Sequence, residues 1–286
     1  ELLGLTPLQP RQQDYLHTIQ RSSATLFQLI SDVLDVSKIE SGQMTLEAQD
    51  FCPLELTEDT VRTYSAFARA KGLQLYACID ATVPDRVRGD PLRIRQILNN
   101  LLSNAIKFTD HGRVVLRLRS LDADRARLQW QVSDSGVGIS QAQQVQLFDP
   151  FYQVHGTGHQ TGAGLGLAIC KWLCELMAGA LTVVSEPGLG SSFTLQLDLE
   201  PVAGTLADCT EFAPQAPAIY LRAPVPELAQ HLCAWLNRLG VEASPQLPPA
   251  LSSVVWVDVL PTAKDAPWPG SRVIASADGP NPPTYA

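Results

Sequence analysis

Apolar residues recur in alternating steps of three and four from about Pro10 to Glu40. This spacing predicts one long helix with a heptad seam that packs against other helices. A second apolar row widens the packing face and favours a four-helix bundle, which helical hairpins from two copies of the chain would complete. The first row is Leu16, Ile19, Ser23, Leu26, Ile30, Val33 and Ser37, and the second is Phe27, Leu29, Leu34 and Val36.

The residues on either side of this helix define its limits. The preceding stretch ELLGLTPLQP has the pattern of the end of another helix followed by a turn. The following SGQ ends the long helix, with Gly42 as its C-terminal cap. Residues 1–43 are therefore predicted to be part of a helical dimerisation hairpin, and the chain is predicted to form a homodimer.

Helix and strand patterns are mixed between residues 44 and 200, which predicts an α+β domain. The runs LQLYACI, RVVLRLRS, ARLQWQV, ALTVVS and SSFTLQLDL have the composition of strands. Two of these runs, joined by LDAD, indicate a hairpin and a largely antiparallel sheet. The predicted helices lie near 53–70, 91–107 and 164–179.

Charge and composition exclude several classes of function. The net charge of −8, without a basic run that contains aromatic residues, argues against nucleic-acid binding and leaves protein and small-molecule partners. The six cysteines follow no scaffold spacing, which indicates a reducing compartment, and Cys170 and Cys174 fit core packing better than metal binding. No apolar run reaches the roughly 20 residues of a membrane span and no signal peptide is present, so a cytoplasmic chain is expected.

The helix PLRIRQILNNLLSNAIKFT carries a polar stripe beside its apolar face. Asn100, Asn104 and Lys107 are spaced i, i+4 and i+7, so they lie along one side. The stripe can be the solvated face of an amphipathic helix. It also suits a phosphate site, because an amide oxygen is a hard ligand for Mg²⁺ and a lysine ammonium attracts phosphate oxygens.

A glycine run, TGAGLGLAI, stands at the entry to the next apolar helix. Backbone N–H groups at a helix start lack partners and attract anions, and glycine leaves room for phosphate oxygens to come close. The glycines Gly162, Gly164 and Gly166 match neither the P-loop nor the dinucleotide fingerprint, so the run is a weak signal by itself.

The stretch DSGVGIS follows a predicted strand and can be interpreted as a simple turn. A carboxylate, however, only accepts hydrogen bonds, so Asp134 can bind the exocyclic amino group of adenine and would repel the O6 of guanine. Gly136 and Gly138 would let the base edge approach the backbone. Asp134 is therefore predicted to select the base.

In this order, the asparagine helix, DSGVGIS, LFDPFYQ and GAGLGLAI resemble the N box, first G box, F box and second G box of sensor histidine kinases. These kinases belong to a larger ATP-binding group with gyrase, MutL and heat-shock chaperones. The resemblance covers about residues 1 to 200, and YLHTIQRSSATLFQLISDVLDVSKIESGQ resembles the second dimerisation helix, which the gyrase and chaperone branches lack. It implies a protein-histidine kinase with an α/β sandwich ATP-binding domain over 44–200.

The resemblance also implies a role for each site residue. Asn104 would hold Mg²⁺, and Asn100 and Lys107 would meet the phosphates of ATP and serve catalysis. Asp134 would bind adenine beside Gly136 and Gly138. The residues that would cradle the triphosphate are Gly162, Gly164, Leu165 and Gly166.

The acceptor of the phosphoryl group is expected outside this chain. In the family a histidine in the first dimerisation helix accepts it, and no such box is present here. His17 lies among polar neighbours, which fits a surface residue. The expected enzyme is the cytoplasmic core of an inner-membrane sensor that transfers the ATP phosphoryl group to an upstream histidine, with a response regulator or phosphotransfer protein as partner.

Two alternatives of other kinds stay open from the sequence. The lid YQVHGTGHQT lacks the Arg or Lys that is common in related lids, and His155 and His159 would substitute weakly or belong to a solvated loop. A poor lid favours a non-catalytic ATP-binding regulator that pairs with another kinase. A serine-kinase anti-sigma factor fits less well, because such proteins lack the long dimerisation helix.

The end of the chain resembles a degenerate receiver domain, as in hybrid kinases. Residues 201–217 have the Pro and Ala content of a linker, and residues 218–286 follow the order strand, helix, strand, strand. Asp258 stands where a phosphate-accepting aspartate would be. The first strand ends in Leu-Arg-Ala-Pro without the acidic pair that holds Mg²⁺, so an unphosphorylated module that docks on the kinase core or on a partner is expected.

Overall fold

A computed structural model describes residues 6, 8–122, 126–153, 164–203, 217–246, 254–259 and 272–275. The predicted long helix is confirmed as α1, Pro10–Glu40. Gly42 has a φ of +64° and donates its N–H to the carbonyl of Ile39, as a C-terminal glycine cap does. None of the helices in the described part of the chain has the length and apolar character that crossing a bilayer requires.

The predicted α+β domain is confirmed, with a five-stranded sheet in the order β2-β4-β5-β7-β6. Strand β2 is parallel to β4, and the other neighbouring pairs are antiparallel. The elements are β1 Gln49–Phe51, α2 Pro53–Ala70, β2 Gln74–Ile79, β3 Val87–Gly89, α3 Pro91–Phe108, β4 Arg113–Asp122, β5 Arg127–Asp134, α4 Gln141–Gln146, α5 Gly166–Leu176, β6 Ala180–Glu186, β7 Gly190–Asp198 and β8 Glu200–Pro201.

Helices α2, α3 and α5 pack with this sheet around one hydrophobic core. The apolar face predicted for α3 comprises Ile94, Ile97, Leu101, Ala105 and Phe108; the first four are buried, and Phe108, at the end of the helix, is half-buried. Trp130 of β5 is fully buried below α2, and its indole N–H donates to the Thr57 hydroxyl at 3.0 Å. Burial of this apolar stripe fixes α3 against the sheet and leaves its polar stripe at the surface of the layer.

Two features differ from the prediction. Helix α5 covers Gly166–Leu176 and not 164–179, because Gly164 and Ala178 have φ values of +71° and +54°, which a right-handed helix does not allow. The small sheet β1-β3-β8 was not predicted, since its strands of two or three residues are too short to show an alternating pattern.

The C-terminal part contains a second, all-parallel sheet in the order β10-β9-β11-β12. One helix, α6, packs on it around a small core that includes Leu221, Ala229 and Cys233. The predicted order of strand, helix, strand and strand is present, with one additional two-residue strand, β10. The elements are β9 Ala218–Arg222, α6 Pro226–Arg238, β10 Ala243–Ser244, β11 Val254–Val259 and β12 Arg272–Ala275.

Candidate active site

Helix α3 brings the two predicted asparagines together. It begins at Pro91, where the Asp90 side chain accepts a hydrogen bond from the Arg93 N–H at 3.0 Å and caps the helix. One turn apart on its polar stripe, the Asn104 Nδ2 donates to the Asn100 Oδ1 at 2.9 Å. Because this bond uses the nitrogen of the Asn104 amide, the amide oxygen is directed away from Asn100 and can serve as a ligand.

Lys107 lies on the same stripe, half-buried near the end of α3. Its ammonium is 4.8 Å from the centre of the Phe108 ring, a cation–π distance. Burial lowers the pKa of this ammonium from its usual value. An anion bound beside Lys107 would stabilise the charged form.

Asp134, the last residue of β5, has one carboxylate oxygen that backbone N–H groups hold in place. Its Oδ1 accepts hydrogen bonds from the backbone N–H groups of Gly136 at 2.8 Å and Ser191 at 3.2 Å. Within the described residues, its Oδ2 accepts no hydrogen bond. Burial raises the pKa of this carboxyl, and the two backbone N–H groups oppose that effect. These two hydrogen bonds fix the carboxylate through Oδ1 and leave Oδ2 able to accept a further hydrogen bond.

The glycines after Asp134 leave room for protein backbone. A Cβ on Gly136 would lie 2.4 Å from the carbonyl oxygen of Phe108, and one on Gly138 would lie 2.0 Å from that of Glu186. Gly138 also has a φ of +71°, which side chains rarely adopt. The loop therefore passes between the end of α3 and the β6–β7 hairpin. The predicted approach of a base edge to these glycines stays a prediction.

The glycines before α5 also have protein neighbours. A Cβ on Gly164 would lie 2.8 Å from the carbonyl oxygen of Tyr152, and one on Gly166 would lie 2.2 Å from the Asn100 Nδ2. Helix α5 therefore starts directly beside the asparagine pair, with the buried Leu165 as its N-cap residue. Gly162 and the lid histidines His155 and His159 lie outside the described residues.

Helix α3 thus contacts both the loop that follows Asp134 and the glycine segment that precedes α5. Its Asn100 contacts the start of α5, and its Phe108 contacts the loop that follows Asp134, so the carboxylate, the amides and the α5 N-terminus belong to one assembly. The chemistry of this arrangement suits a ligand with a hydrogen-bond donor at one end and anionic oxygens at the other.

Ser185 and Gln144 hold the loop that follows Asp134 in place. The Ser185 hydroxyl accepts from the Ile139 N–H and donates to the Gly190 carbonyl, both at 2.8 Å. The Gln144 side chain donates to the carbonyls of Ile139 at 2.7 Å and Ser185 at 2.9 Å. A serine and a glutamine in such positions have no sequence signal, because their partners are backbone groups.

Replacing Ser185 by Ala is expected to weaken ATP binding by roughly fivefold, the value of about one hydrogen bond, because the Ile139 N–H loses its partner. Titration calorimetry measures the change. Ser192→Ala is the matched control, since the Ser192 hydroxyl bonds to Ser133 and not to the loop. Equal ATP affinity of the Ser185 and Ser192 variants would show that the hydroxyl does not support the site.

Two protein families match the chain. Residues 89–201 match the family described as histidine kinase-, DNA gyrase B-, and HSP90-like ATPase, and residues 1–42 match the His Kinase A (phospho-acceptor) domain. The first match covers the helix and loops that form the site, and the second covers α1. The chain belongs to the sensor histidine kinases.

Curated histidine kinases align over most of the chain. The sensor histidine kinase RcsC of Escherichia coli is 47% identical over 194 residues, which are 66% of this chain and 20% of the relative. The virulence sensor protein BvgS of Bordetella bronchiseptica is 39% identical over 234 residues, or 77% of this chain and 19% of the relative. The chain therefore spans about a fifth of the length of these kinases.

A solved histidine kinase structure resembles the fold over almost the whole chain. The crystal structure of full-length ShkA, in complex with AMPPNP, has a TM-score of 0.74 and 25% sequence identity, and the match covers 96% of this chain and 59% of that one. The similarity in fold therefore extends beyond the two matched families.

Proposed function

We propose that this chain is the core of a hybrid sensor histidine kinase that transfers the γ-phosphoryl group of ATP to a histidine upstream of residue 1. The observation that carries the proposal is the position of α3, which joins the Asp134 loop to the start of α5. ATP matches these two parts of the site, because its base carries an amino group for Asp134 and its phosphates are anionic oxygens for the start of α5.

ATP would be held by residues from both ends of the assembly. The open Oδ2 of Asp134 would accept a hydrogen bond from the adenine amino group. The phosphates would lie near Asn100, Lys107 and the glycine run, including Gly162. The Asn104 amide oxygen, which the hydrogen bond to Asn100 orients, fits a Mg²⁺ ion. When bound, Mg²⁺ neutralises charge on the phosphoryl oxygens.

The amide at Asn100 favours transfer over hydrolysis. A neutral amide is a poor general base, so the site does not activate water well. An imidazole acceptor needs no such base, because its neutral nitrogen is nucleophilic near pH 7. The residues of this chain therefore serve to position ATP and to stabilise its charge.

The exposed seam of α1 supports dimerisation. Ile19, Leu26, Ile30 and Val33 each expose more than half of their surface in the single chain. Exposed apolar rows of this kind mark packing surfaces, and a second copy of the hairpin would cover them. The same proposal includes a response regulator or phosphotransfer protein as the partner. It also makes this chain the cytoplasmic part of an inner-membrane sensor. Both points rest on the family resemblance.

The strand order supports a receiver-like C-terminal domain. Numbered within that domain, the order β10-β9-β11-β12 is 2-1-3-4, which doubly wound proteins of the flavodoxin and CheY type share. Asp258 is on β11, opposite Arg222 of β9 in the register. Strand β9 ends at Arg222 without an acidic pair, so we propose that this domain does not accept a phosphoryl group.

The chain alone, incubated with Mg²⁺ and γ-labelled ATP, is expected to bind ATP, to hydrolyse it slowly and to carry no label, because it lacks the acceptor histidine. Filter binding, a phosphate-release assay and gel autoradiography measure these three quantities. Rapid release of phosphate would contradict a transferase. Acid-labile label that disappears in His17→Gln would contradict an upstream acceptor.

A further inference from the structure

Three potential metal ligands meet where the C-terminal domain contacts the ATP-binding domain. Cys78 is on β2, and Glu227 and His231 are on α6. The sulfur, a carboxylate oxygen and an imidazole nitrogen all lie within 4.8 Å of one another. Cys78 is fully buried and the other two residues are half-buried. These residues have no part in the proposed ATP site.

Contacts outside this cluster hold α6 beside the end of β2. The Trp235 indole N–H donates to the Ile79 carbonyl at 2.8 Å, which fixes α6 beside the end of β2. The Arg238 guanidinium donates to the Ala81 carbonyl at 2.8 Å and pairs with Asp85. The ligands from the two domains are therefore brought together before any ion binds, which lowers the cost of assembling a site.

We propose that Cys78, Glu227 and His231 bind one Zn²⁺ ion between the two domains. Glu227 and His231 are four residues apart, so they lie on one face of α6, toward Cys78. Thiolate, imidazole and carboxylate are the ligands that zinc combines in protein sites, and water completes its tetrahedral coordination. Zinc ligands lie about 3.5 Å apart, so small side-chain rotations close the cluster.

Neighbouring arginines orient the carboxylate. Arg117 donates to the two oxygens of Glu227 at 2.5 and 2.7 Å, and Arg119 donates to one of them at 3.4 Å. An ionised carboxylate has about four acceptor positions, so one remains for the metal. Hydrogen bonds of this kind orient ligating groups in known metal sites. The positive charges also repel the ion, so we expect weaker binding than in zinc fingers.

Zinc binding would be linked to the contact between the C-terminal domain and the ATP-binding domain. The Cys78 thiol loses its proton to solvent as the sulfur–zinc bond forms, and two negative ligand groups then face the dication. Because two ligands come from α6 and one from β2, the complete site exists only while the domains are in contact. Binding of Zn²⁺ therefore stabilises that contact by mass action.

Cobalt titration of the 286-residue chain tests the site. Co²⁺ replaces Zn²⁺ in such sites and gives a thiolate charge-transfer absorption band. We expect one equivalent to bind, Zn²⁺ to displace it, and His231→Gln to weaken binding at least about tenfold. Cys78→Ala is expected to remove the band, whereas the control Cys52→Ala keeps it, since Cys52 is outside the cluster. Circular dichroism verifies that each variant is folded.

The proposal is wrong if the wild-type chain gives no thiolate band, or if the band persists in folded Cys78→Ala. Unchanged cobalt affinity in folded His231→Gln would also overturn it. Any of these results would leave the Arg117–Glu227 ion pair as the role of Glu227 in the domain contact. Loss of ATP binding would not affect the outcome, since the experiment measures metal binding alone.

Discussion

Asp134→Asn is expected to lower the affinity for ATP by about a hundredfold or more. The Oδ1 of Asp134 accepts hydrogen bonds from two backbone N–H groups. In an asparagine at this position the amide oxygen would take the place of Oδ1, because only the oxygen can accept these bonds. Its NH₂ group would then occupy the place of Oδ2 and face the adenine amino group, donor against donor. The loss of one charge-assisted hydrogen bond and an unsatisfied donor together cost about 3 kcal/mol.

The same substitution should change the choice of base. An asparagine NH₂ can donate to the O6 of guanine, so the preference for ATP over GTP should decrease sharply. Titration calorimetry with both nucleotides measures this ratio. Asp198→Asn is the matched control, because this carboxylate pairs with Arg127 at the surface and is 62% exposed. Equal ATP affinity in wild type and Asp134→Asn would remove Asp134 from the nucleotide site.

Asn104→Ala is expected to remove the dependence of ATP binding on Mg²⁺ and to lower phosphoryl transfer by about a hundredfold, the usual effect of losing one electrostatic contact in a transition state. The substitution deletes the proposed metal ligand and also the donor to Asn100. ATP titrations with Mg²⁺ and with a chelator measure the first effect, and labelling of a longer form that includes the acceptor histidine measures the second.

Ser103→Ala provides the control for this experiment. Ser103 is the neighbouring residue on α3, it is exposed, and its hydroxyl bonds to the carbonyl of Asn100. The Ser103 variant should keep the full effect of Mg²⁺ on ATP affinity. If Asn104→Ala keeps it as well, Asn104 does not hold the metal and the chemical role of the asparagine pair must be different.

Local patterns predicted the elements that carry the site. Helices α1 and α3 have apolar rows long enough to show their period, so the sequence indicated both their presence and their approximate ends. Asp134 was identified because an acid and two glycines follow a strand. The helix period and the turn after the strand each depend on residues that are close in the sequence, so a short stretch of sequence is enough to predict them.

Long-range contacts could not be predicted in this way. The glycine pattern predicts phosphate and base contacts, whereas in the structure Gly166 also leaves space for Asn100 and Gly138 leaves space for the Glu186 backbone. The packing of α6 against β2 joins Trp235 and Ile79, which are 156 residues apart. No periodicity encodes such a pair, because the contact depends on how separate elements fold together.

The most direct test of the proposed kinase is phosphoryl transfer between two forms of the protein. One is this chain, with an intact ATP site. The other is a longer form that includes the upstream segment with the acceptor histidine and carries Asp134→Asn. Mixed with γ-labelled ATP, the pair should place acid-labile, alkali-stable label on the longer form, while neither form is labelled alone. A mixture that binds ATP and forms mixed dimers but acquires no such label would contradict the account.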